Sequence, residues 1–245
     1  MLDLCLHCGG HQVDREQVAA VPTPPATRTW QPIPHENLLT QVERSLEGKG
    51  LRVVQQAHAL WGDGDRYFGL MELSHADESA EYGLVLGLRN SHDKSTTASI
   101  ALGSQVFVCD NLSFFGEVVL ARKHTRFIQR DLPGIVAQAM ASLSDMRVTH
   151  DERIAAYKQT TFTDPEVHDL LIRAVDDRVL PVSYLPNVLQ EWREPSHDQF
   201  LEDGNSAWRL HNGFTEALKG KSLALLPYRS HRLQGLLDPL CHVGV

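Results

Sequence analysis

The stretch YGLVLGLRNSHDKSTTASIALGSQVFVCDNLSFFGEVVLARKHTRFIQR, residues Tyr82 to Arg130, decides the fold. Tyr82, Leu84, Leu86 and Leu88 alternate with other residues, the period of a half-buried strand. Asn90 to Ser95 interrupts the apolar runs with side chains that bond their own backbone, so it reads as a hairpin turn. Thr97 to Gly103 and Gln105 to Asp110 read as strand with a break at Gly103, and Phe114 to His124 as a further strand. That strand ends in a basic cluster of Arg122, Lys123, His124, Arg126 and Arg130. The pattern predicts a twisted antiparallel sheet with helices packed on it.

Upstream, Leu38, Leu39, Val42 and Leu46 recur at helical spacing and predict a helix over residues 35–49, closed by Gly48 and Gly50. Leu51 to Leu60 and Arg66 to Leu73 read as a hairpin around the turn Gly62-Asp63-Gly64-Asp65. The acids of that turn fit turn chemistry; the loop is too short for a calcium hand. Downstream, Asp131 is placed to cap a helix carrying Val136, Met140 and Leu143. Further helices are expected over His150 to Thr160, from Asp164-Pro165, over Leu185 to Trp192 and over Ser206 to Leu218, with a polar loop from Glu191 to Gly204. The predicted class is α+β: an antiparallel sheet of about five strands, mainly within residues 51–124, and a helical C-terminal half, mainly within 131–218. Residues 35–245 read as a single domain and residues 1–34 as an N-terminal arm.

The arm holds two features. Cys5-Leu6-His7-Cys8-Gly9 has the spacing of a zinc knuckle, with His11 a third candidate ligand, but no second such pair follows. It is half a zinc site, or a reduced pair without metal. Val21-Pro22-Thr23-Pro24-Pro25, Pro32 and Pro34 predict an extended connector, because each proline fixes φ and removes an amide donor.

The chain has 245 residues, 42% of them hydrophobic and 22% charged, the balance of a soluble globular protein. No apolar run reaches the roughly 20 residues that span a bilayer, and the N-terminus lacks the pattern of a secretory signal. With four cysteines and no disulfide framework, a cytoplasmic protein is expected, with no membrane partner. The formal net charge of −8 argues against wholesale non-specific binding of nucleic acid or anionic membrane. Bases nevertheless crowd Arg122 to Arg130 and Lys219 to Arg232, which allows a local basic face.

No complete catalytic motif occurs. His92 and Asp93 are adjacent in sequence, so in strand geometry they point to opposite faces, and turn chemistry is favoured over catalysis. If the hairpin tip is functional, Arg89, Lys94 and Ser95 suit a phosphate better than a proton transfer. Cys109 reads as a buried small hydrophobe.

The phrases FGLMEL, LGLRNSHDKS, VFVCDNLSF and WRLHNGFTEALK resemble the phage- and plasmid-borne family known as domain of unknown function 932, from about His35 to Leu218. The resemblance implies one whole domain and the company of mobile-element DNA, and no activity. The order of helix, antiparallel strands and long helix is also similar to the core of single-strand annealing proteins of recombination, in which a sheet and a helix line a basic groove. The expected function is therefore non-enzymatic binding of nucleic acid, with single-stranded DNA binding or annealing by a homo-oligomer. The candidate contacts are Arg89, Lys94, Arg122, Lys123, His124, Arg126 and Arg130, with Phe127 for stacking. Two alternatives stay open: a metal-dependent enzyme on nucleic acid or nucleotides using His92 and Asp93, with His124, Asp110 or Asn111, and an acidic protein-interaction module.

Overall fold

The computed structural model describes residues 10–74, 82–106, 111–219 and 225–244. The chain forms two compact units, one of residues 1–104 and 117–143 and the other of residues 105–116 and 144–245. Cys5, Cys8, Cys109 and Asp110, and the polar loop expected over Asp77 to Glu81, lie outside the described residues.

The first unit opens with strand β1 (His11–Val13) and helix α1 (Arg15–Ala19). Asp14 caps α1 in a capping box with Gln17. Helix α2 (His35–Glu47) is followed by strands β2 (Arg52–Trp61), β3 (Arg66–Ser74), β4 (Tyr82–Ser91), β5 (Ala98–Val106) and β6 (Asn111–Arg122). The sheet runs in the order β1-β2-β3-β4-β5-β6, and the pairs β1/β2, β2/β3 and β3/β4 are antiparallel. The expected α+β class holds. The sheet has six strands rather than about five because the segment that reads as a free arm contributes β1, paired with β2 through His11 and Leu60. β5 passes through Gly103 without a break.

Leu38, Leu39, Val42 and Leu46 of α2 are buried, and the register places Leu60, Tyr67, Met71, Leu86 and Leu88 on one buried face of the sheet, the face from which Asn90 reaches His35 of α2. Each such side chain contributes about 1.5–3 kcal/mol through removal from water. Arg15 ties α1 to α2: its guanidinium donates to Glu36 at 2.7 and 2.9 Å and also reaches both oxygens of Glu43. Gly69 on β3 marks a close approach, since a Cβ there would lie 2.0 Å from the Tyr67 hydroxyl oxygen. Tyr67 is fully buried and its hydroxyl is 2.9 Å from His58 Nδ1, so it cannot swing aside. Gly69→Ala is expected to lower stability by about 1–3 kcal/mol in urea melts; a change under about 0.5 kcal/mol would show that Tyr67 yields freely.

Helix α3 (Ile128–Ala141) belongs to the first unit. It begins three residues before the expected cap: Phe127 is the N-cap, and Asp131 lies inside the first turn, where it accepts from Arg130 Nε at 2.8 Å. A turn at Thr125–Phe127, closed by Ile128 N–H on the Thr125 carbonyl, starts the helix early.

The second unit carries α4 (Leu143–Gln159), α5 (Asp164–Asp176), a 3-10 turn (Val182–Tyr184), α6 (Leu185–Arg193), α7 (Gln199–Glu202), α8 (Ala207–Leu218) and α9 (Leu226–Leu237). Thr163 and Glu166 form a capping box for α5, with a proline in its first turn, as the Asp164-Pro165 pair predicts. Ser206 caps α8 by accepting from Arg209 N–H at 3.1 Å. α4 starts seven residues before the expected His150, and the polar loop after α6 contains α7. α9 lies in the basic leucine-rich tail, where the sequence pattern predicts no helix.

Candidate functional site

The hairpin tip after β4 is a turn built by its own side chains. Asp93 Oδ1 accepts from Ser95 N–H at 2.9 Å, Ser91 Oγ donates to the Thr96 carbonyl at 2.9 Å, and Arg66 Nε donates to Asp93 at 2.6 Å. Against a desolvation that raises it, these bonds from Ser95 and Arg66 hold the Asp93 carboxyl down to about 2. Lys94 sits at φ 65°, in the left-handed region, and its ammonium lies 4.8 Å from the centre of the Trp30 ring.

Trp30 comes from the proline-rich connector, which is a strap held onto the first unit. Its backbone makes the attachment, mostly through carbonyls at and beside the prolines. The Ile33 carbonyl accepts from Asn90 Nδ2 at 2.8 Å and His92 Nε2 at 2.9 Å, and the Pro32 carbonyl accepts from Gln129 Nε2 at 3.2 Å. Gln31 N–H donates to the His124 carbonyl at 3.1 Å, and Trp30 pairs with Thr125 in an isolated antiparallel bridge. The Trp30 indole is half-buried, 6.4 Å from the His124 ring.

Three histidines form the floor under this strap. The rings of His35 and His92 stack with centroids 4.0 Å apart and planes 4° from parallel. His35 Nε2 donates to the Gly64 carbonyl at 3.0 Å, so its Nδ1 is the lone pair that accepts from Asn90 Nδ2 at 2.9 Å. His35, His92 and His124 are 1%, 4% and 6% exposed. Burial, reinforced by the neighbouring His92, lowers both His35 and His124 to about 4. These two rings are therefore neutral near pH 7. Asn90 Oδ1, His92 Nδ1 and His124 Nε2 are buried without a hydrogen-bond partner among the described residues.

The basic segment continues from the strap's anchor. Arg122, Lys123 and Arg126 are exposed, and among the described residues no carboxylate pairs with them. Phe127 is 44% exposed, with the guanidinium carbons of Arg126 and Arg130 at 4.4 and 4.8 Å from its centroid. An accessible ring beside two cations can stack on a planar ligand through a face the guanidiniums leave open, while the cations meet anionic oxygens.

The structure thus brings together Lys94, through Trp30, and the segment Arg122–Arg130. It does not bring Arg89 to them: Arg89 neighbours Asn90 on β4, and neighbours on a strand face opposite sides. His124 is a buried support rather than a surface contact. His92 and Asp93 diverge, one to Ile33 and the other to Arg66. Of the knuckle ligands only His11 lies among the described residues, exposed at the start of β1. Among the described residues, no three His, Cys, Asp or Glu side chains are grouped so as to hold a metal ion. No described helix is long and apolar enough to cross a membrane. Trp30 and His35 escape sequence reasoning; the one signal is a lone tryptophan in a proline-rich connector.

The second unit has a buried polar cluster of its own. Arg153 of α4 donates to Asp238 at 2.9 and 3.0 Å, and the Tyr157 hydroxyl donates to Asp238 Oδ1 at 2.6 Å. Burial first, and then the Arg153 charge, push His150 and His211 down, His211 to about 4.

No curated protein and no solved structure matches the chain. A family model described as "Domain of unknown function (DUF932)" matches residues 26–234, which extends past the His35–Leu218 resemblance at both ends and takes in Trp30, and the chain belongs to that family.

Proposed function

We propose that this protein binds single-stranded nucleic acid, in the first place DNA, without catalysing a reaction on it. The observation that carries this reading is the exposed Phe127 ring beside Arg126 and Arg130, next to two cations, Arg122 and Lys123, that have no acidic partner among the described residues. Backbone binding needs only cations and amides, and base stacking needs an accessible ring; this surface supplies both. Lys94 over Trp30 adds a second cation and ring beside it. The local surplus of bases offsets the acidic net charge of −8 where a phosphate chain would lie. The proposal includes the setting the family resemblance suggests, a cytoplasmic phage- or plasmid-type protein that works on recombining DNA as an oligomer.

Fluorescence anisotropy with a labelled oligothymidylate tests it. The variant R122A/K123A/R126A is expected to bind at least about tenfold more weakly, and its log K–log[salt] slope should fall by about 0.7 for each phosphate that it no longer neutralises. Phe127→Ala should lose about 1–3 kcal/mol with a nearly unchanged salt slope, since stacking releases no counterions. Absence of binding by the unaltered protein at about 50 mM salt would sink the reading.

A further inference from the structure

From the surface of α9 we infer a second, separate station for single-stranded nucleic acid on the second unit, centred on Tyr228. The choice of ligand rests on the function proposed above; the station itself rests on its own geometry. α9 reads LPYRSHRLQGLL and holds Arg229, His231 and Arg232 with no acid. Leu226, Leu233, Leu236 and Leu237 bury one side of it. The opposite stripe, Leu225, Tyr228, His231 and Gly235, follows the three- and four-residue spacing of one helix face and is exposed. Tyr228 is 46% exposed, and the Arg232 guanidinium carbon lies 4.5 Å from its centroid. Arg232 also donates to the Asp177 carbonyl, which fixes the guanidinium on one face of the ring and leaves the other face for a ligand.

This repeats, in the second unit, the core of the arrangement at Phe127, a half-exposed aromatic ring backed by arginine with further bases alongside; α9 carries no acid, whereas α3 has Asp131 on Arg130. Arg229 supplies a phosphate contact one residue from the ring. Asp238, the first acid after α9, is already engaged by Arg153 and Tyr157 and does not neutralise the stripe. The exposed acids closest in sequence to Arg232's anchor are Asp176 and Asp177, at the end of α5, and they bound the station on that side. A planar base stacked on Tyr228 with its phosphate at Arg229 uses both the ring and the cation beside it; an apolar peptide would leave that cation without a partner. Two stations per chain would let one molecule hold two segments of strand, which annealing requires.

Photo-crosslinking with a 5-iodouracil-substituted oligothymidylate, followed by mass spectrometry of peptides, tests the station. In the background R122A/K123A/R126A/F127A, cross-links are expected to persist at Tyr228. They should fall at least fivefold in Tyr228→Ala/Arg229→Ala and be retained in Tyr228→Phe, which keeps the ring. Cross-links at Phe127 alone in the unaltered protein would overturn the second station and leave the first in place. Cross-links at Tyr228 alone would uphold it and overturn the first. Cross-links at neither would overturn both. Binding to vesicles of phosphatidylserine and phosphatidylcholine that depends on Tyr228, without a cross-link there, would also overturn it in favour of a membrane surface.

Discussion

Thermal melts run from about pH 7 down to about pH 4 are expected to show a loss on the order of 3–6 kcal/mol, or a fall of about 10 °C or more in Tm. The source in the first unit is the histidine floor. In the unfolded chain these rings take a proton near 6.5, whereas in the fold His35 and His124 take one only near 4. Between those two values the unfolded state binds more protons, so stability is complete above about 6.5, falls as the pH drops and levels off near 4. Each ring accounts for up to about 3 kcal/mol at about 1.4 kcal/mol per pH unit. Asp93, held at about 2, keeps its contribution until the pH passes below its ordinary value of 3.8, so it stays out of this window. His211 in the second unit, also lowered to about 4, adds to the slope.

The structural event is specific. A proton on His35 Nδ1 would place a donor against the Asn90 amide donor 2.9 Å away and a cation 4.0 Å from the His92 ring. Asn90 must then let go, and the strap carrying Trp30 loses one of its holds on Ile33. His124→Gln should flatten the pH dependence by about half of the first unit's share. A Tm constant within about two degrees between pH 7 and 4.5 would rule out the account.

The second large effect is expected from Asp238→Ala. Arg153 and Asp238 are 14% and 22% exposed as side chains, and the Tyr157 hydroxyl shares the same carboxylate. Removing it leaves a guanidinium beside His150 and His211 in a poorly hydrated place, and orphans a buried hydroxyl. Breaking such a pair from one side costs about 3–5 kcal/mol. The double variant Arg153→Met/Asp238→Leu should recover at least half of that, because it removes the uncompensated charge along with its partner. Tyr157→Phe should cost only about 1 kcal/mol. Urea melts of the three variants check this; an Asp238→Ala loss below about 1 kcal/mol would mean that water reaches Arg153 freely.

The sequence discloses elements whose apolar spacing repeats or whose ends carry caps. α2, the β2–β3 hairpin, α5 and α8 fall where Leu38–Leu46, Gly62–Asp65, Asp164-Pro165 and Ser206 place them. α4 runs longer than its pattern predicts because its apolar residues keep no single face. α9 is hidden because its leucines are interleaved with arginines, so its amphipathic stripe reads as a basic tail. The basic half of the site is legible as a charge cluster. The strap and the histidine floor are not, since they depend on bonds from Asn90 and His92 to Ile33, 57 and 59 residues away, which no local pattern encodes.

That separation has a bearing on the order of events as the chain folds. Neither bond to Ile33 can form until α2 has docked and β2, β3 and β4 have paired, because these elements fill the intervening loop and carry Asn90 to its place. The connector's hold on Ile33 therefore forms only against a sheet whose β4 is already in place. Its opening needs none of the sheet's hydrogen bonds to break, so Trp30 and its neighbours form a unit of local unfolding distinct from the core beneath. A surface assembled this way can yield while the fold that supports it stays intact.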